Sequence, residues 1–264
     1  MTDVKENKGF VTAEYLKKIA KERKQIKSRI YELMQIHPDS QVLDVGCGPA
    51  SDTIPMSEFI GVSGRIVGVD NDPAMIEKAD LEAKQQGITK CIRHMQASAQ
   101  SLPFGDGEFD RVHAERLFQV LPQSVNPELV FAEMNRVLRS SGRLVLADAD
   151  WGTASVNFSD NELERRLLTF FATKLRPNGF AGRQLFELLK GGGYGDLTVE
   201  VIPVLTWDFS ETPFAEWLPS EALKSGVATK KELDQWKDEL MEKTRQGTYL
   251  SCINMVIVAG TKVI

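Results

Sequence analysis

The sequence predicts an α/β fold in which a doubly wound, mainly parallel sheet is covered by helices on both faces. Three features carry that expectation. Five short apolar runs alternate with segments of helical periodicity between residues 41 and 150, the pattern of repeated βαβ units. Asp72-Pro73 and Asn126-Pro127 mark two helix starts; in each, a capping side chain precedes a proline whose missing N–H is harmless in the first turn. Two later apolar runs, 197–209 and 249–262, predict a terminal antiparallel pair at one edge of the sheet, for seven strands in all.

The elements follow in order. Residues 12–36 are predicted helical: Tyr15, Ile19, Ile26, Ile30 and Leu33 recur at helical spacing, and His37-Pro38 ends the run. Lys17, Lys18, Lys21, Lys24 and Lys27 occupy the other side, which reads as a solvated face. Residues 1–36 are therefore expected to form a helical lid segment, and 37–264 a single domain with a cap insertion around 213–246. The first strand is QVLDVG, from 41. A helix over 52–60 keeps Pro55 in its first turn, and RIVGVD (65–70) is the second strand. Asp72 caps a helix that Gly87 stops; strands follow at 90–97 and 109–115. Asn126 caps a helix predicted to reach 142, and RLVLADAD (143–150) is the fifth strand. Helices are expected at 160–175 and 182–190.

Composition narrows the function classes. The chain has 264 residues, 42% hydrophobic and 26% charged, with a net charge of −5; bulk charge gives no argument for nucleic acid. Cys47, Cys91 and Cys252 are odd in number and form no CxxC pair, which fits a reducing cytoplasm and predicts no metal site. No apolar leader and no 18-residue apolar run occurs, so neither a signal peptide nor a membrane span is expected.

The chemistry gathers around VLDVGCGPASD, residues 42–52. Ligands of parallel α/β sheets sit at the carboxyl ends of the strands. Gly46 and Gly48 stand at such an end, where a residue without Cβ lets the chain turn sharply and a ligand approach the backbone. Asp70 closes the second strand, 24 residues after Gly46, and a carboxylate there accepts both hydroxyls of a ribose. A dinucleotide site wants a third glycine and free amides. Here Pro49 removes an amide, and Asp44 and Asp52 add negative charge, which suits a nucleoside that carries positive charge.

Four stretches in order, VLDVGCGPA, GRIVGVDNDPAMIEKA, ASAQSLPFGDGEFDRV and AEMNRVLRSSGRLVLAD, resemble the class I S-adenosylmethionine-dependent methyltransferases of the methyltransferase-11/UbiE-like group. The resemblance covers about residues 38–150 strongly and fades after 210. It implies a Rossmann-like fold that binds S-adenosylmethionine, releases S-adenosylhomocysteine, and methylates a small organic acceptor by in-line transfer. It implies that Gly46, Cys47 and Gly48 wrap the methionine end, that Asp44 or Asp52 lies near the ammonium, and that Asp70 holds the ribose. Asn71 and Met75 border the adenine, with Ala97, Ser98 and Ala99 beside it; Ser98 stands where the group often has an aspartate. Val120 replaces a histidine found in the group, so a base at that position is absent.

Glu115 and Arg116 end the fourth strand, near the expected methyl group, and Glu115 also borders the cofactor. Catalytic candidates are Glu115, His113 and Asp150; acceptor candidates are Arg116, Trp151 and Arg183. Asp148, Asp150 and Trp151 are expected on one rim. The leaving thioether needs no acid, so holding the reactants in line is expected to dominate. Aromatic residues from 158 to 236 favour an apolar or aromatic acceptor, in a monomer or homodimer that binds no nucleic acid. The alternatives are a cofactor-binding protein without methyl transfer, regulatory or cyclase-like, and an NAD-dependent dehydrogenase.

Overall fold

A computed structural model describes residues 24–263; Tyr15, Ile19, Lys17, Lys18 and Lys21 lie outside them. The apolar runs become β1 (Gln41–Val45), β2 (Arg65–Asp70), β3 (Ile92–Gln96), β4 (Phe109–Glu115), β5 (Leu138–Val156), β6 (Tyr194–Thr206) and β7 (Ser251–Lys262). They form one sheet in the order β3-β2-β1-β4-β5-β7-β6. The first five strands are parallel, and β7 runs antiparallel to both β5 and β6. The order reverses between β1 and β4, which opens a crevice at their carboxyl ends.

The helices are α1 (Lys24–Met34), α2 (Thr53–Met56), α3 (Pro73–Gln85), α4 (Pro127–Val137), α5 (Asn161–Phe170), α6 (Ala181–Gly191), α7 (Trp217–Lys224) and α8 (Lys230–Arg245). Asp72 and Asn126 cap α3 and α4 as expected, each accepting a main-chain N–H two residues on. Gly87, with φ of +71°, ends the turn after α3.

Strand alternation sends neighbouring residues into different cores. Val42, Ile66, Val145 and Ile257 meet Ile30 and Met34 of α1 on one face. Leu43, Val112, Leu144 and Val258 meet Met134 of α4 and Leu185 of α6 on the other. Helices α5, α7 and α8 build a third core around Phe171, Phe214 and Trp236. Three further ties fix α1 to the sheet. Arg111 Nε donates to Gln35 O at 2.9 Å, Arg143 Nε donates to Leu33 O at 2.9 Å, and Arg29 pairs with Glu200. The two carbonyls lie at or just beyond the helix C-terminus, where cations are favoured. Among the described residues no helix is long and apolar enough to cross a membrane.

Several boundaries differ from expectation. Helix α4 stops at Val137 because the chain turns into β5, with Ser141 at φ of +62°. β5 then runs past 150 through an irregularity between Asp150 and Ser155. Helix α5 ends at Phe170 and widens into a π turn, Phe171–Leu175. β6 starts earlier than expected, at Tyr194, whose ring packs on Phe131. It also ends earlier, because Asp208 caps a tight turn over Phe209–Glu211.

The two-sided core makes a direct prediction. Leu185→Ala empties a fully buried site under the sheet and is expected to cost about 2–5 kcal/mol. Leu81→Ala, at a position 55% exposed on α3, is expected to stay within about 0.5 kcal/mol. Urea unfolding of both variants checks the contrast.

Candidate active site

The loop after β1 is built by left-handed backbone. Gly46 and Gly48 have φ of +80° and +52°, a region open mainly to glycine. A Cβ on Gly46 would also meet Leu117 Cδ1 at 3.1 Å. Gly46 N and Cys47 N both donate to Val69 O, at 2.7 and 2.9 Å. Gly48 N donates to Asp70 Oδ2 at 2.9 Å, and Asp72 N donates to Asp70 Oδ1 at 2.9 Å. With Pro49 next, every amide from 46 to 48 is engaged and 49 has none. A pyrophosphate would find no cradle here. Cys47 is buried against Gly68, where a Cβ would come within 2.9 Å of its Sγ, and burial pushes its thiol well up. Burial also raises the Asp70 carboxyl, against the two N–H groups that favour its charge.

A cavity of about 280 Å3 opens across the tips of β1, β2, β4 and β5. Gly46, Cys47, Gly48 and Asp52 form its floor, and Asp70, Asn71 and Met75 one wall. Ala97, Ser98 and Ala99 close that end; the Ser98 hydroxyl already accepts Gln100 N at 3.3 Å. Leu117, Val120, Leu121, Trp151 and Met255 add apolar wall to the cavity, together with the polar Arg116, Gln119, Arg176 and Asn254. Trp151 both packs and lines: it sits edge-on to Phe171 and Phe214, and its Nε1 donates to Gln119 Oε1 at 2.6 Å. The Arg176 guanidinium lies 4.4 Å above the Trp151 ring, a cation–π contact. Arg116 also lines the cavity, with φ of +54° and Nε 3.2 Å from Glu115 Oε1. A bulky side chain in that region signals local strain.

Between the floor and β4 lies a buried ion cluster. Lys27 Nζ is 2.5 Å from Asp52 Oδ2 and 2.6 Å from Glu115 Oε2. Tyr31 Oη donates to Asp52 Oδ1 at 2.7 Å. Burial works to raise the Asp52 carboxyl, but Lys27, His113 and the Tyr31 bond outweigh it and hold it at about 2. Burial disfavours the Lys27 charge, yet the two carboxylates keep its ammonium above the usual lysine range. Asp44 lies close by with one oxygen buried and unpartnered, and burial, then Asp52, pushes its carboxyl well up. His113 Nδ1 donates to Val145 O at 3.2 Å, leaving Nε2 buried without a partner. Asp52, His113 and Glu115 each bring a ligand atom within 4.8 Å of the others, and the Lys27 ammonium already sits against both acids.

The solvated face expected for the lysines fails at Lys27, which is 6% exposed, while Lys24 is exposed. The signal was present: Lys27, Ile30, Tyr31 and Met34 repeat at the spacing of a buried stripe. Asp148, Asp150 and Trp151 do not share one rim. Alternation turns Ala149 and Trp151 to the cavity and the two acids away. Asp150 is clamped by Arg183, Nε to Oδ2 at 2.6 Å and Nη2 to Oδ1 at 2.9 Å, so neither Asp150 nor Arg183 lines the cavity. His113 and Asp44 lie beneath the cavity lining.

Asp148 supplies a pH test. It is fully buried, and burial pushes its carboxyl up to about 7, against the N–H groups of Gln119 and Ala149. The folded state thus binds this proton more tightly than the unfolded chain. The stabilisation is complete below about pH 4 and is lost as pH rises through about 7. Asp148→Asn removes this contribution. Urea unfolding should show the wild type losing stability relative to Asp148→Asn between about pH 5 and pH 8; a constant difference refutes the assignment.

The methyltransferase domain family matches residues 36–193. A demethylmenaquinone methyltransferase of Staphylococcus carnosus is 33% identical over 130 residues, 49% of this chain and 52% of that protein. A malonyl-[acyl-carrier protein] O-methyltransferase of Legionella pneumophila is 35% identical over 136 residues, 50% of this chain and 45% of that protein. These matches span about half the length of each relative. The crystal structure of YcgJ from Bacillus subtilis superposes with a TM-score of 0.61 at 18% identity, covering 91% of this chain and 99% of that one. Sheet order, glycine loop and family match agree: the chain belongs to the methyltransferase domain family, in the class I S-adenosylmethionine-dependent group.

Proposed function

We propose that this protein transfers a methyl group from S-adenosylmethionine to a small organic acceptor of apolar or aromatic character. The observation that carries this reading is the cavity lining. A carboxylate and a glycine loop stand ready for a nucleoside, and Val120, Leu121, Trp151 and Met255 add apolar wall for an acceptor.

The residues fit the cofactor. Each Asp70 oxygen accepts one main-chain N–H, and a carboxylate oxygen has a second lone pair for a ribose hydroxyl. Asp52 and Glu115, both in the lining, give this corner the acidic character that suits a cationic ligand. When bound, the cofactor supplies a methyl group on a positively charged sulfur.

The chain's own contribution is positioning. Leu117, Val120, Leu121, Trp151 and Met255 exclude water and orient an acceptor against the tips of β1 and β4. Glu115 is the catalytic candidate that lines the cavity, held between Lys27 and Arg116. It is proposed to set the field at the reaction centre and to take a proton where the acceptor must lose one.

Calorimetry with S-adenosylhomocysteine tests the reading. The wild type should bind, and Asp70→Ala should bind roughly ten- to a hundredfold more weakly, the value of charged hydrogen bonds. Glu115→Gln should lower turnover at saturating cofactor by up to about 10²–10⁴-fold if it acts as a base, beyond any loss of binding. Formation of S-adenosylhomocysteine in a cell extract separates transfer from binding alone. Absent binding by the wild type, or an Asp70→Ala protein that binds equally well, defeats the proposal.

A further inference from the structure

Residues 46–49 offer the methionine end of the cavity no free main-chain donor, and side chains beside them can take that place. The argument rests on the cofactor reading above. The ligand's amino-acid tail carries an ammonium and a carboxylate, and with the ribose at Asp70 the tail lies over the glycine loop. A carboxylate there needs N–H or O–H donors. Residues 46–49 supply none: Gly46 N and Cys47 N are bonded to Val69 O, Gly48 N to Asp70, and Pro49 has no N–H.

Three donor side chains line this corner: Arg116, whose Nε faces Glu115 Oε1, Lys27 and Ser51. Lys27 lines the cavity and has three N–H groups; Asp52 accepts one, while Glu115 Oε2 stands 2.6 Å away as an ion pair without a hydrogen bond, and among the described residues no further acceptor is bonded to it. Ser51 also lines the cavity, and its hydroxyl oxygen is buried without a partner. Lys27 lies ahead of residues 36–193, the part matched by the family.

We propose that Lys27, with the Ser51 hydroxyl beside it, holds the α-carboxylate of the bound cofactor, so that α1 closes the methionine end of the site. The charges balance. Lys27 and Arg116 stand beside Asp52 and Glu115, and a zwitterionic tail adds one charge of each sign. Its ammonium meets the acids while its carboxylate meets Lys27. Another N–H of Lys27 then has an acceptor, and α1 gains a ligand contact that a free helix lacks.

The test compares two ligands by calorimetry: S-adenosylhomocysteine, and its decarboxylated analogue, which keeps adenosine, sulfur and ammonium. The wild type should prefer the carboxylate-bearing ligand by roughly ten- to a hundredfold, as expected for a charged hydrogen bond. Lys27→Met should lose that preference and Lys27→Arg should keep part of it. The preference is a ratio within each protein, so a general loss of stability cancels. Should Lys27→Met not fold, hydrogen exchange on the wild type gives the same answer: the full ligand should protect α1 amides more than the analogue does. Equal affinity of the wild type for both ligands, full preference in Lys27→Met, or equal protection of α1 overturns the inference while leaving the cofactor reading intact. A wild type that binds neither ligand overturns both.

Discussion

The buried ammonium of Lys27 is the contact on which the rest of the site depends. Asp52 and Glu115 come from different segments, the loop after β1 and the tip of β4, and their oxygens are shielded from water. Two such carboxylates repel one another and lose hydration. One lysine, from a helix upstream of both strands, bridges the pair, and Arg116 beside Glu115 brings the second positive charge. Without the lysine, at least one acid must take up a proton or turn outward, and the floor of the cavity changes shape. Removing one partner of a buried ion pair typically costs about 3–5 kcal/mol, because the other charge is left bare.

The same economy of donors shapes the loop. Asp70 orders the chain around it through Gly48 N and Asp72 N while keeping lone pairs toward the cavity. One carboxylate thus sets both the path of the backbone and the place of a ligand. The left-handed backbone of Gly46 and Gly48 lets two consecutive amides turn down onto Val69 O. The amides of residues 46–48 are engaged and Pro49 has none, so these four residues offer no free N–H to the polar end of a ligand.

The sequence made the central βαβ units, the caps at Asp72 and Asn126, and the antiparallel edge legible, because each rests on local periodicity or on a proline beside a capping residue. The walls around the glycine loop were legible for the same reason: Gly46, Asp70 and Glu115 stand at the ends of strands, and Met75 in the first turn of the helix that Asp72 caps. What failed depended on contacts between distant segments. Lys27 read as surface because a lysine on a helix usually is, and nothing local reveals Asp52 and Glu115 waiting for it. The pairing of Asp150 with Arg183 bridges β5 and α6, and Arg176 reaches the cavity only through a π turn that no periodicity announces. The rim expected for Asp148 and Asp150 failed for a simpler reason: strict alternation separates them from Trp151.

The position of β7 constrains how the molecule is made. It inserts between β5 and β6 although both precede it in the chain. During synthesis, β5 and β6 emerge first and have no route to each other. Residues 207–250 must follow before the strand that joins them appears. Over that interval the nascent polypeptide carries two bare strand edges, the kind of surface that invites association with other chains. The third core, around Trp236, joins residues 156–171 to the delaying segment, so the helical cap can begin to assemble while the sheet beside it still waits to be completed.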